Sequence, residues 1–172
     1  MHSLLQRLPL LSLLSVALPS YAQFAHQATL EPVPLAPFQR VYVLVNVSTD
    51  QLWMAQPLAD ALQRGLAARA KTVAAEVQPL DPLALEPGPR QQQLRLFGPQ
   101  AILYCRMESL ERIVQGGFGG TGKFACDLYD ARSDQALWRS WSTFLPNGSA
   151  IDKIMANLSA RIIDQLGRER YL

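Results

Sequence analysis

The apolar positions of the chain follow two alternating periods, and each switch between them marks an element. Arg40 to Val47 (RVYVLVNV) is a nearly continuous β-branched run closing on Ser48-Thr49-Asp50, the pattern of a buried strand followed by a turn or helix cap. The period then changes. Leu58, Ala61, Leu62, Gly65 and Leu66 fall on one helical face, with Pro57 placed near a first turn. Gly65 weakens such a helix by about 1 kcal/mol relative to alanine but allows close approach to a sheet. Thr72 to Gln78 (TVAAEVQ) reads as strand again. Pro79, Pro82, Pro87 and Pro89 make an irregular connection, and Arg90 to Phe97 reads as a short helix closed by Gly98 and Pro99.

From Gln100 to Ile113 the alternation is clean. Leu103, Cys105 and Met107 point one way, Tyr104, Arg106 and Glu108 the other. Beyond a glycine-rich loop from Gly116 to Gly122, Phe124, Cys126 and Leu128 oppose Ala125, Asp127 and Tyr129. A turn at Arg132-Ser133-Asp134 leads to a last strand, Ala136 to Leu145. Pro146-Asn147-Gly148 breaks the chain, and Ser149 is placed to cap a final helix carrying Ile151, Ile154, Met155, Leu158, Ile162 and Leu166, which Gly167 stops. The predicted order is β-α-β-α-β-β-β-α, an α/β chain with an α+β mixed sheet. Right-handed crossovers make the first three strands parallel and the last three an antiparallel meander. The helices are expected mainly on one face, leaving the other open.

Ahead of this pattern, Arg7, the apolar run from Leu8 to Leu18 and Pro19-Ser20-Tyr21-Ala22 follow the order of a secretory signal peptide, with cleavage expected after Ala22. The run is too short to span a bilayer, and no later apolar stretch reaches the roughly eighteen residues that a transmembrane helix needs. The expectation is therefore a periplasmic protein starting at Gln23. No cysteine stands at the cleavage point to take a lipid anchor. Residues 23 to 39, with Pro32, Pro34 and Pro37, read as an extended leader that is ordered only if docked, and residues 40 to 172 as a single domain. Without the signal the chain carries fifteen Lys and Arg against fourteen Asp and Glu, a balance that speaks against nucleic acid. Cys105 and Cys126, an even count in an oxidising compartment, favour a disulfide; two buried free thiols are the alternative.

The segments GPQAILYCRMESL and FACDLYDARSDQALWRSWSTF, followed by the closing amphipathic helix, resemble the small periplasmic α/β domains of the TolB amino-terminal, CsgG, penicillin-binding-protein activator and PelC types. Asp130-Ala131-Arg132-Ser133 and Leu137-Trp138 fill the pattern that marks the turn between the last two meander strands in those domains. The resemblance covers residues 40 to 166. It implies a non-enzymatic module that docks onto cell-envelope machinery, often within an oligomer. The missing lipidated cysteine is a departure from it.

Candidate chemistry is sparse. Gly117 to Lys123 (GFGGTGK) has the spelling of a phosphate-binding loop, but Phe124 stands where a magnesium-holding Ser or Thr belongs and a strand rather than a helix follows. Gly116, Gly117, Phe118, Gly119 and Gly120 read instead as a flexible hairpin tip. His26 is the only histidine after the signal, too few for a Ser-His-Asp arrangement or a multi-histidine zinc site. No metal and no cofactor are expected. Glu108 and Asp127 on adjacent strands supply the carboxylate pair of a glycosidase, but among arginines such carboxylates are more often ion pairs. The face carrying Tyr104, Arg106, Glu108, Asp127, Tyr129, Arg139 and Trp141 has the composition of a protein interface or of a sugar-stacking surface, the latter an envelope glycan-binding module using Tyr104, Tyr129 and Trp141; its plain reading is cross-strand salt bridges and half-exposed aromatics. The expected partners are an envelope protein, a second copy, or a cell-wall or exported glycan.

Overall fold

The computed structural model describes residues 23–29, 36–69, 71–80, 89–112, 120–145 and 150–172. The elements are β1 (Gln23–Thr29), β2 (Arg40–Val47), α1 (Leu52–Ala67), β3 (Thr72–Pro79), α2 (Pro89–Phe97), β4 (Ala101–Arg112), β5 (Gly120–Asp130), β6 (Ala136–Phe144) and α3 (Ile151–Arg168). They form one six-stranded sheet in the order β1-β6-β5-β4-β2-β3. β2 pairs parallel with both β3 and β4, and β4, β5 and β6 are an antiparallel meander. The fold is the expected α+β mixed sheet with one strand more. That strand is the start of the proline-bearing leader: residues 23–29 dock antiparallel on the free side of β6. With Gln and His interrupting its apolar residues, the segment has no period-2 pattern by which a strand is recognised.

β2 is buried along both faces from Val41 to Val47, which is why it reads as a continuous apolar run rather than an alternating one. Val41, Val43, Val45 and Val47 enter the main core with Leu103, Cys105, Phe124, Cys126 and Leu128, beneath Met54, Leu58, Leu62 and Leu66 of α1 and Met155, Leu158, Ile162 and Leu166 of α3. α1 and α3 also pack on each other. Gly65 makes that contact close, because a Cβ there would lie 2.5 Å from Ile163 Cδ1. The glycine thus serves helix–helix approach, not the helix–sheet approach expected from the sequence. Nor does Gly167 end α3, which runs to Arg168; its missing side chain makes room for the Arg69 guanidinium, whose partner is Asp164 at 2.5 Å. After the helix, Tyr171 returns to the core fully buried. Its hydroxyl donates to the Leu137 carbonyl at 3.0 Å, and its own carbonyl accepts from the Phe38 N–H at 2.9 Å. The last residues therefore tie the entry of β2 to β6.

The second sheet face is not wholly open, contrary to the sequence reading. Tyr42, Leu44 and Asn46 are buried on it, and α2 sets Phe97 edge-on against Tyr42 with ring centroids 5.7 Å apart. Arg40 lies over the same Phe97 ring and bonds its carbonyl. Gly98, at φ 58°, closes α2 as expected of a glycine in the left-handed region. Over β2 this face is closed, and across the meander, β4 to β6, it stays open.

Cys105 and Cys126 lie opposite each other in the β4–β5 register and are bonded, with Cα atoms 4.1 Å apart. The bridge closes a separation of 21 residues inside the core, a constraint that contributes about 3 kcal/mol in the chain-entropy account. The glycine-rich segment is shorter than read from sequence. Gly120 begins β5 opposite Arg112, and Gly122 sits in the strand opposite Phe144; residues 116–119 of the expected tip, the signal segment and Ser149 lie outside the described residues. Thr121, Gly122 and Lys123 are strand, so the phosphate-loop spelling does not form a loop there. Gly122 is required for packing: a Cβ would collide with the Phe144 ring, which is stacked on Phe124 at 5.6 Å.

The close approaches at Gly122 and Gly65 predict unequal outcomes. Gly122→Ala drives a Cβ into a ring held by a second ring and is expected to cost about 1–3 kcal/mol in urea unfolding, as overpacking does. Gly65→Ala meets only the flexible tip of Ile163 and gains up to about 1 kcal/mol of helix propensity, so it is expected to be near neutral. Equal losses in the two variants would overturn this assignment.

Candidate functional site

On the open face the β4–β5–β6 register lines up one cross-strand row: Tyr104, Asp127 and Arg139. The next row holds Arg106, Ala125 and Trp141. Asp127 is completely buried although it belongs to this face. A lone carboxylate there would be heavily penalised by desolvation, and two arginines compensate it. Arg106 Nη1 donates to Oδ2 at 2.6 Å, while Arg139 donates from Nε to Oδ1 at 2.5 Å and from Nη2 to Oδ2 at 3.3 Å. The second pairing is bidentate, which fixes the plane of the guanidinium as well as its distance. Hydrogen bonding to Asp127, then its charge, raises the Arg139 pKa against an opposing burial effect, with Tyr129 adding a little. A guanidinium that is charged at neutral pH in any case is thus held more firmly in that form.

The network extends toward solvent. Arg106 also faces Glu108 at 3.6 Å, Glu108 pairs with Lys123 at 2.7 Å, and the Arg106 guanidinium lies 6.0 Å from the Tyr104 ring centre. A bulge after Met107 shifts the β4–β5 register by one residue, so that Ser109 in place of Glu108 pairs with Lys123; the Glu108 carboxylate still reaches that lysine from the neighbouring position. Side by side these groups sum to three cations and two anions, Arg106, Lys123 and Arg139 against Glu108 and Asp127. Asp127 and Glu108 are thus joined through arginine, the arrangement the sequence offered as the plain reading for a carboxylate pair.

Of the residues singled out from sequence, Tyr104, Arg106, Tyr129, Arg139 and Trp141 are half-buried on the face, Glu108 is exposed, and Asp127 is inaccessible. The structure brings Tyr104 and Tyr129 together. They line, with Ile102 and Asp134, an open pocket of about 250 Å³. Trp141 is not part of it. Ile102 and Asp134 are the members that sequence reasoning missed, and Asp134 is the polar one. Asp134 is set by the β5–β6 turn, where Asp130 Oδ1 accepts from the N–H groups of Arg132 at 2.7 Å and Ser133 at 3.1 Å, and it takes φ 56°. The signal was available in the spacing Asp130-Ala131-Arg132-Ser133-Asp134, since Asp tolerates the left-handed region and the aspartate at 130 folds the turn. Among the described residues no cluster of His, Cys, Asp and Glu is arranged to hold a metal. No described helix is long and apolar enough to cross a membrane. Trp53, left open by the sequence between core and rim, is 46% exposed at the start of α1.

Breaking the bracket at its centre should cost most. Asp127→Ala leaves two guanidinium groups without their shared anion and is expected to lose about 3 kcal/mol in urea unfolding, the low end for a broken buried ion pair because both arginines can turn to water. Arg139→Ala leaves Arg106 in place and is expected to lose less. A larger loss for Arg139→Ala would show that the aspartate is not the centre of the network.

No protein-family model and no curated protein matches the chain. Among solved structures, a PelC dodecamer from Paraburkholderia phytofirmans is similar at 16% identity and a TM-score of 0.54, over 88% of this chain and 99% of that one. A variant of the same protein in another crystal form gives 15% identity and a TM-score of 0.54, over 82% and 96%. Lipoprotein GNA1162 from Neisseria meningitidis follows at 16% identity and a TM-score of 0.42, over 72% and 99%. At these identities the likeness to PelC is one of fold, and it takes in nearly the whole of that chain.

Proposed function

We propose that this chain is a non-enzymatic accessory or assembly protein of the bacterial cell envelope, exported by its amino-terminal signal, which associates with itself and docks on envelope machinery through the meander face, with the glycine-rich segment between β4 and β5 contributing to the contact. The observation that carries the reading is the fate of Asp127. The carboxylate at the centre of the face is spent on holding Arg106 and Arg139 in place, while Tyr104, Tyr129 and Trp141 around it remain partly exposed. Such a face is built to be rigid and to present aromatic and guanidinium surface, the residue types that anchor protein interfaces. The fold likeness to a protein that crystallises as a dodecamer supports self-association.

A second reading has its own observation in its favour. The pocket is lined by two aromatic residues, Tyr104 and Tyr129, together with Asp134, residue types suited to stacking and hydrogen bonding one ring of an envelope glycan. On this reading Trp141, outside the pocket, is dispensable.

Light scattering after size exclusion, on chain beginning at Gln23, is expected to give a discrete oligomer. Trp141→Ala is expected to weaken that association, or complex formation with an envelope partner, by at least tenfold without changing the unfolding midpoint by more than the loss of a half-buried side chain. Calorimetric titration with cell-wall or exported polysaccharide separates the second reading: binding abolished by Tyr129→Ala and untouched by Trp141→Ala favours the glycan module. A monomer that binds neither protein nor glycan overturns both.

A further inference from the structure

We propose that the outer edge of β3 pairs antiparallel with the same strand of a second copy, about a two-fold axis passing through Ala75. This deepens the self-association reading and rests on it. β3 is a terminal strand of the sheet, and no described strand pairs with its far side. Which backbone groups that side offers follows from the ladder to β2. Thr72 donates its N–H to Gln39 at 2.8 Å and Leu80 donates to Val47 at 2.7 Å, and between them β2 and β3 run parallel without a register shift. Thr72, Ala74, Glu76 and Gln78 therefore turn their backbone groups inward to β2, and Val73, Ala75 and Val77 turn theirs outward.

Natural sheets guard such an edge with lysine, proline or a bulge. Val73 to Val77 has none of these. Its one charged residue, Glu76, points to the second face, where its carboxylate accepts from the Tyr42 hydroxyl at 2.5 Å. Lys71 and Pro79 stand just outside the open stretch, and Pro79 has no N–H to extend it.

The occupant follows from self-complementarity. Centring the pairing on Ala75 sets Val73 against Val77 of the second copy on the core side, with every outward N–H of Val73, Ala75 and Val77 facing an outward carbonyl. On the other side Glu76 then faces Ala74. Sliding the axis to Glu76 places two carboxylates opposite each other and sets Val73 against Pro79, losing a donor. Sliding it to Ala74 sets Val77 against Lys71. The sequence Val-Ala-Ala-Glu-Val is thus matched best by itself, in one register.

The register is tested by cysteine placement in the otherwise native, disulfide-intact chain, in which no free thiol competes. Ala75→Cys puts two Cα atoms about 5.5 Å apart across the axis, inside the disulfide range of roughly 4.4–6.8 Å. Thr72→Cys sets its two copies about 20 Å apart. The expected result is a covalent dimer from Ala75→Cys under mild oxidation and none from Thr72→Cys. Ala75→Pro removes an outward donor without touching the ladder to β2, and is expected to keep the far-ultraviolet spectrum while the light-scattering mass falls at least twofold. An oligomeric native chain that gives no Ala75→Cys dimer and is unmoved by Ala75→Pro overturns this pairing and leaves self-association through another surface standing. A native chain that stays monomeric at every concentration overturns both.

Discussion

A sheet has two faces to cover, and this chain has apolar helices for only one of them. β2, buried on both sides along nearly its whole length, is where the constraint is strictest, and the architecture follows from how it is met. α1 and α3 close one face over β2, β4, β5 and β6 and partly over β3, with Gly65 letting the two helices meet. On the other face only β2 is roofed, by its own Tyr42 and Leu44 and by Phe97 at the end of α2. The meander is left to make its own exposed face compatible with water. It does so by alternating half-buried aromatics with a charge network whose centre is dry and whose ends are wet.

That network has a cost that a purely solvating surface would avoid. Salt bridges at a surface contribute little, and a carboxylate fully removed from water must recover several kcal/mol from its partners. Asp127 recovers it from a bidentate arginine on one side and a second arginine on the other, so the gain lies in fixed geometry more than in stability. One guanidinium plane fixed by bidentate pairing and a second guanidinium held by one short bond lose little conformational freedom when something docks on them, which is how preorganised surfaces bind tightly for their area.

Much of the fold was legible because the sheet is made of strands whose surroundings leave a pattern. Alternation in β4 and β5 predicts which cysteines face each other, and the apolar run of β2 predicts double burial. What escaped lacks such a pattern. β1 is a polar segment whose strand character comes wholly from an edge on β6 to pair with. Tyr171 looks like a frayed terminus until the Leu137 carbonyl gives its hydroxyl a partner. Gly65, Gly122 and Gly167 were visible as glycines, but sequence does not say what presses against them, and in each case the neighbour is remote in the chain. The candidate site divides the same way. The strand parity placed its seven side chains on one face, whereas the burial of Asp127 depends on two arginines folding over it and the recruitment of Asp134 on a turn, neither of which alternation encodes.

The sheet order bears on how the face and the edge relate. β3 is separated from the meander by β2, and the row of Tyr104, Asp127 and Arg139 runs away from it toward β1. A pairing at β3 continues the sheet outward in its own plane and so leaves the exposed face of the meander uncovered. The two surfaces also differ in kind. The edge offers backbone hydrogen bonds between apolar residues, which salt scarcely affects, while the face offers guanidinium groups whose attraction for a partner is screened within about a Debye length. Raising ionic strength should therefore loosen what docks on the meander while leaving a β3 pairing intact, so that the contribution of each surface to any assembly can be separated without altering a residue.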